Sequence, residues 1–403
     1  MTPRPAETPL SAGGFRSEVL RSWAEVAEVA GSWNELLRCS GADTIFLSWE
    51  WIQAWAGVVG SLVEPLVIVC RDADGGLAGI APFYEAQWRL LRTLPYRGLR
   101  IMGDYPTSSE YGDWIVRRDS EGPVIQAITD ALNRLPGWDY IWMPRTAGWT
   151  GCPERLSMAA RSGSFLQNAR DDSFSFVPLP GSIAAYTAGL SKQRRKSLGR
   201  EQARILDRRQ ATVVRCRTGR ELTRFLDALF DLHHRRWKAR GEEGSFRRKP
   251  MLARFYRAFA SLALERNWLR ITAVEAQGVI KAIEFGYVYG NVYHSMQGGF
   301  DPEYESGVGN VLRLKVIESC IEEGLSGFDL LGGLTEDKRT FGAIERRGQD
   351  VILARNRPKG WLLTGRLVSR LRFWPTGRYM RQEAPLLDGL PEPAGSGDRD
   401  APS

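Results

Sequence analysis

A chain of 403 residues with 43% hydrophobic and 25% charged residues has the composition of a globular protein of two or three domains, not of a disordered or fibrous one. The net charge of +8 and a pI near 9.3 point to an anionic ligand or partner but carry no information about fold. No apolar run approaches the ~18 residues of a membrane helix, and the five scattered cysteines form no C-x-x-C pair, so a cytoplasmic protein with reduced thiols is expected.

Residues 1–17 are polar and Pro-rich and read as a disordered leader, not a secretory signal. A helical pattern, "SWEWIQAWAGVVG" (48–60), precedes a hairpin signature, "PLVIVCRDADGGLAGIAPFYE" (65–85), with two apolar strands around an Asp/Gly turn. A strand at 109–117, a helix at 122–135 and a strand at 138–145 follow, and "SFSFVPLPGS" (173–182) closes a first lobe over 18–180. The same order recurs roughly two hundred residues later. A helix at 251–267 precedes the hairpin "WLRITAVEAQGVIKAIEFGYVY" (268–289), which predicts two similar lobes.

The second lobe, 181–357, opens on "SKQRRKSLGREQARILDRRQ", in which eight Lys/Arg face two acids. This run reads either as a solvated helix or as an anion funnel, and its lack of aromatic residues argues against nucleic-acid readout. A strand at 211–217 and a helix at 219–239 come next. After the hairpin come a strand at 292–300, the turn "ESGVGN", a helix at 310–323, a strand at 326–333 and a last strand at 349–355. Alternating strands and helices predict an α/β (α+β) fold with a mixed, mostly antiparallel sheet in each lobe. Residues 358–382 form a basic amphipathic arm, read as a helix packed on the second lobe or as a contact with an inner-membrane surface. Residues 383–403 read as a disordered tail.

The turn at 305–310 puts two glycines at a helix start. Four N–H groups are unpaired there and the helix carries partial positive charge. Glycines let a diphosphate approach such a backbone closely, whereas a plain helix-start loop capped by Ser306 or Asn310 is the alternative. Three titratable residues on neighbouring strands, Glu284, His294 and Asp329, are candidate bases. Glu284 lies inside the apolar "KAIEFGYVY", where burial would raise its proton affinity. Adjacent His233 and His234 point about 100° apart on a helix and do not make a metal pair. No nucleophile elbow or P-loop occurs in the sequence.

The order of elements in 278–342, with "SKQRRKSL" (191–198) and the Trp-rich "FLSWEWIQAW" (46–55), resembles the GNAT acetyltransferases. Within these it resembles the CelD/BcsL type associated with cellulose and exopolysaccharide synthesis, related to the double-lobed FemAB-like transferases. The resemblance implies two GNAT-like lobes, the first degenerate. It implies acetyl-CoA or another acyl-CoA as co-substrate, held at Ser306, Gly307, Val308, Gly309 and Asn310. The family pattern R/Q-x-x-G-x-G/A has Tyr304 at its leading position here. The resemblance further implies a base among Glu284, His294 and Asp329, and an anion-holding Lys338, joined by Arg195 of the basic run. The expected activity is direct acyl transfer to an amine or hydroxyl of a sugar or small metabolite, without a metal. The alternatives are FemAB-like transfer from aminoacyl-tRNA, and a non-catalytic accessory protein docked on a polysaccharide-synthesis complex through the basic arm.

Overall fold

The computed structural model describes residues 14–90, 94–107 and 109–365. The leader up to residue 13, the arm beyond residue 365 and the 383–403 tail lie outside the described residues. The first lobe begins with β1 (Arg16–Leu20), α1 (Trp23–Glu28), α2 (Ala30–Arg38) and α3 (Trp49–Val59). It continues through β2 (Pro65–Arg71), β3 (Leu77–Leu90), β4 (Leu94–Ile101), the short β5 (Ile115–Val116), α4 (Glu121–Arg134), β6 (Tyr140–Ala147), α5 (Cys152–Ser162) and β7 (Leu166–Pro178). The Ser48 hydroxyl accepts from the Trp51 N–H and starts α3, which drives Trp51 and Trp55 into the core.

The second lobe runs α6 (Ile183–Gly189), α7 (Lys192–Gln202), a π-turn at Ala203–Arg208, β8 (Thr212–Arg215), α8 (Gly219–Lys238), α9 (Ser245–Arg248) and α10 (Pro250–Glu265). It then runs β9 (Leu269–Ala276), β10 (Val279–Tyr289), β11 (Val292–Phe300), α11 (Val308–Glu322), β12 (Gly327–Gly332), α12 (Glu336–Thr340), β13 (Ile344–Ala354) and α13 (Pro358–Thr364). The β9–β10 hairpin turns on Gln277 (φ 51°) and Gly278 (φ 78°), both left-handed. That is the backbone a tight hairpin needs to match strand twist.

One sheet spans both lobes in the order β1-β2-β3-β4-β6-β13-β7-β12-β11-β10-β9-β8, with β5 beside β3. Its neighbours are antiparallel except at β4–β6 and β11–β12. Those two pairs are the matching crossovers of the two lobes, through α4 and α11. The lobes exchange their last strands. β13 lies between β6 and β7, and β7 bonds β12 on its other edge. The boundary at residue 180 therefore divides the chain but not the sheet.

At each exchange the receiving strand bulges. Between Asp329 and Gly332 the register with β7 shifts around Leu331 (φ 59°), and between Gln349 and Val351 the register with β6 shifts opposite Arg145 (φ 54°). The strand expected over 109–117 is reduced to Ile115–Val116. Tyr111 sits at φ 58°, which breaks an extended run, and the preceding residues turn into the junction between lobes.

Leu353 is fully buried in β13, between strands of both lobes. Leu353→Ala is expected to cost about 2–5 kcal/mol and to shift one cooperative thermal transition. Two separated transitions in calorimetry would contradict the exchange.

Candidate active site

Strand β11 pairs with β10 along its whole length, but with β12 only through Val292–His294. Beyond that point β12 keeps only β7 on its other edge, and among the described residues β11 from Ser295 to Phe300 has no strand partner on this edge. β11 also bulges there. Phe285 faces Gln297 and Gly286 faces Ser295, so Met296 is extra. The backbone of α8 crosses β11 closely, and a Cβ on Gly299 would stand 2.6 Å from the His233 nitrogen.

The chain leaves β11 through the glycine turn into α11. Gly307 is the N-cap at φ 86°, and no side chain caps the helix. The left-handed backbone of Gly307 favours glycine, and a Cβ there would stand 2.6 Å from Glu201 Cδ and displace the end of that side chain. Gly309 is different. Its Cβ would only touch the Phe300 ring at 3.4 Å, so its bareness is not demanded by the fold. Neither Ser306 nor Asn310 caps α11; Asn310 Nδ2 donates to Glu201 at 3.2 Å instead. Glu305 is held by Arg204 (3.1 Å) and Arg209 (2.6 Å) of the basic run. The run is thus neither a solvated helix nor an open funnel at these positions: it fastens the glycine turn.

The free edge, the turn and the end of α8 enclose a groove of about 410 Å³. Its acids are mostly matched. Asp301 pairs with Arg235 (2.5 Å) and Lys281 (3.2 Å), and Asp337 with Arg313 (2.9 Å). Arg236 lines the groove over the Phe300 ring at 5.2 Å and forms no ion pair among the described residues. Its desolvation, with Arg240 and Arg313 nearby, lowers its pKa from the ordinary value. Arg236 escaped the sequence reading; the clustered arginines of "HHRRWKAR" at the end of a helix were the available signal.

Glu284 also lines this groove, 5% exposed, and accepts from Ser295 Oγ at 2.9 Å. Burial raises its pKa against the pull of Arg313. His294 and Asp329 are elsewhere. Neighbouring side chains on a strand alternate between faces, and Phe328 and Leu330 pack with α11 while His294 and Asp329 turn to the opposite face. There His294 Nδ1 lies 3.4 Å from Asp329 Oδ2, and the Tyr111 hydroxyl donates to Asp329 at 2.8 Å.

The first lobe also brings Glu110 and Arg145 to this place, 2.6 Å apart. Glu110 accepts from the Gly332 N–H at 3.2 Å. Burial pushes Glu110 up to about 7, and the nearby Asp329 charge adds to the rise against Arg145. Lys338 does not reach out to a ligand. Its ammonium donates to the carbonyls of Leu330 (2.8 Å), Gly332 (2.6 Å) and Gly333 (2.7 Å), and burial pushes it down to about 8. Arg195 likewise donates to the Ala188 and Leu190 carbonyls at the end of α6. It lies outside the groove lining. Glu110 and Tyr111 were missed because "SEYGDW" reads as part of a strand, with only the glycine at 112 hinting at a break, and Arg145 because it closes the apolar strand "WDYIWMPR".

A parallel pair splayed around a glycine turn, in a mixed sheet crossed by a helix, defines an acyltransferase-type domain. Residues 192–339 match the family described as Acetyltransferase (GNAT) domain, so the second lobe carries a domain of that kind. Its two-lobed fold is shared with solved structures. FemX superimposes with a TM-score of 0.57 at 10% identity, covering 83% of this chain and 96% of that one. A conserved protein of unknown function from Bacteroides thetaiotaomicron VPI-5482 gives 0.51 at 10% identity, covering 81% and 97%. At these identities the likeness shows the fold. No curated protein matches the chain. Among the described residues no helix is long and apolar enough to cross a membrane, and no acid, histidine or cysteine cluster suits a metal.

Glu110 gives a pH test. Its folded pKa of about 7 stands above the ordinary 4.5, so the folded chain holds a proton that the unfolded chain releases. Stability from this group is present at low pH and is lost as pH rises through that window. Glu110→Gln is therefore expected to gain up to about 3 kcal/mol relative to the parent on going from acid to mildly alkaline pH. Thermal denaturation across pH measures it; parallel curves for the two proteins would contradict it.

Proposed function

We propose that the protein transfers an acyl group, acetyl in the first instance, from an acyl-CoA thioester to an amine or hydroxyl by direct attack. The groove carries this reading. It joins an uncapped helix start, a glycine whose missing Cβ the fold does not require, and an arginine without an ion pair. Together these suit an anionic diphosphate. The free edge of β11 leads from there toward the splay and offers backbone groups to a thioester carbonyl. Glu305, turned onto Arg204 and Arg209, does not oppose the donor.

Glu284, on the α11 face with the donor, is better suited to that side than to the acceptor. Its raised proton affinity keeps it neutral to higher pH than an ordinary carboxyl, which spares the anionic donor a repulsive neighbour. A sugar or small-metabolite acceptor in cellulose or exopolysaccharide production follows from the resemblance in residues 278–342. FemAB-like aminoacyl transfer from tRNA is the second reading, favoured by the fold shared with FemX. It is weakened by Arg204 and Arg209, which are engaged on the turn and not offered to an RNA.

Titration calorimetry with acetyl-CoA and free CoA tests the donor. Both are expected to bind; no heat with either overturns the reading. Gly307→Val should weaken binding at least about tenfold through its left-handed backbone and the Glu201 contact. Arg236→Ala, which leaves the backbone alone, should weaken it about 10- to 100-fold, with a reduced salt dependence. Acetyl-CoA affinity should fall as pH rises and Glu284 ionises, and Glu284→Gln should flatten that dependence. An affinity that rises with pH would assign Glu284 another role.

A further inference from the structure

Resting on the acyl-transfer reading, we propose that His294 takes the acceptor's proton, oriented by Asp329, which Tyr111 of the first lobe holds in place. The donor groove lies on the α11 face of the splayed strands, so the acceptor nitrogen approaches the thioester from the other face. On that face His294 is only 8% exposed, in the parallel pair whose divergence opens the splay. Its Nδ1 faces Asp329 at 3.4 Å, longer than a formed hydrogen bond, a contact that tightens when the site is occupied. Nε2 is left as the nitrogen that can act on a substrate.

Asp329 is positioned on three sides. It accepts from the Tyr111 hydroxyl (2.8 and 3.0 Å) and from the Leu331 N–H (2.8 Å), and it faces His294. Burial and the Asp329 charge push the Tyr111 phenol well above its ordinary pKa, so it remains a donor. Glu110, Arg145, Lys338 and Arg346 are the other charged groups whose fields reach this cluster. The two left-handed residues that touch it, Tyr111 and Leu331, hold strained backbone of the kind a surrounding structure tolerates at working sites.

The first lobe supplies an internal comparison. At the equivalent register of its own parallel pair, His294 and Asp329 are replaced by Arg100 and Trp142. Arg100 is tied to Asp104 at 2.7 Å and lies over the Trp142 ring at 4.7 Å. The fold therefore does not need a His–Asp pair at this position. The second lobe has one, and it recruits a tyrosine from the first lobe to hold it.

In the step, an acceptor ammonium gives one proton to His294 Nε2. The freed lone pair forms the N–C bond to the acyl carbon while the C–S bond breaks toward sulfur. A second N–H proton passes to the thiolate. The products are an amide, a free thiol and one proton, which His294 returns to water.

The chain has three histidines, so nitrogen NMR of the full protein across neutral pH resolves the tautomer of each without any acceptor. His294 is expected to carry its proton on Nδ1. Asp329→Asn should abolish that preference and Tyr111→Phe should weaken it, with His233 and His234 unchanged. A proton on Nε2 in the parent protein, or no response to Asp329→Asn, overturns the pairing. With acetyl-CoA and D-glucosamine as the probe amine, His294→Gln should lower thiol release about 100-fold or more and remove the acidic limb of the kcat/KM profile. Tyr111→Phe should lower kcat about tenfold at unchanged acetyl-CoA affinity. Loss of the acidic limb in Glu284→Gln, and not in His294→Gln, overturns the assignment. If acetyl-CoA does not bind at all, the acyl-transfer reading falls, while the tautomer still decides the pairing.

Discussion

The exchange of last strands between the lobes is the constraint on which the rest of the molecule depends. β12 has a partner on each edge and pairs with both over Gly327–Asp329, β11 of its own lobe and β7 of the other. Beyond Asp329 it parts from β11, and it bulges at Leu331 while staying with β7 as far as Gly332. The divergence exposes the edge of β11, and the same bulge aims Asp329 at Tyr111. The groove on one face and the polar cluster on the other both border this divergence. Backbone hydrogen bonds are strong and obligatory for buried chain, so the divergence is a fixed geometry and not a loose opening.

The two faces differ in their electrostatics. In the groove the acids are matched by basic side chains or, at Glu284, have their proton affinity raised by burial, and among the described residues Arg236 forms no ion pair. On the opposite face, carboxylates and a phenol converge with Arg145 and Arg346, and the nearest lysine is turned onto carbonyl oxygens. The proposed transfer would set the anionic thioester against the first set of groups and the amine against the second. Like charges beside either reactant would be costly at low effective dielectric.

The doubled architecture shows what a site needs beyond a fold. In the first lobe the crossover helix α4 begins after Asp119 and with Glu121, acids at the position where the second lobe has a glycine turn. Its parallel pair carries Arg100 and Trp142. The lobe keeps the sheet and brings Tyr111, Glu110 and Arg145 against the second lobe's β12.

The sequence by itself determined the elements and the doubling. Apolar alternation in 65–85 and 268–289, the helical periodicity of 251–267 and the Gly307–Gly309 turn are local signals, because hydrogen bonding within a hairpin or a helix start depends on residues close in the chain. It also placed Glu284 inside an apolar strand, where it is buried. Only the tertiary structure decided which strands are neighbours across the lobes. It alone separated Glu284 from His294 and Asp329, brought His294 to Asp329, turned Lys338 and Arg195 onto carbonyls, and set Arg236 over Phe300. The reason is physical: β7 and β13 could each satisfy their backbone within their own lobe or across to the other, and local periodicity is the same in both cases. The choice comes from the packing of the whole chain, and Tyr111, 218 residues from the aspartate it holds, is visible only once that choice is made.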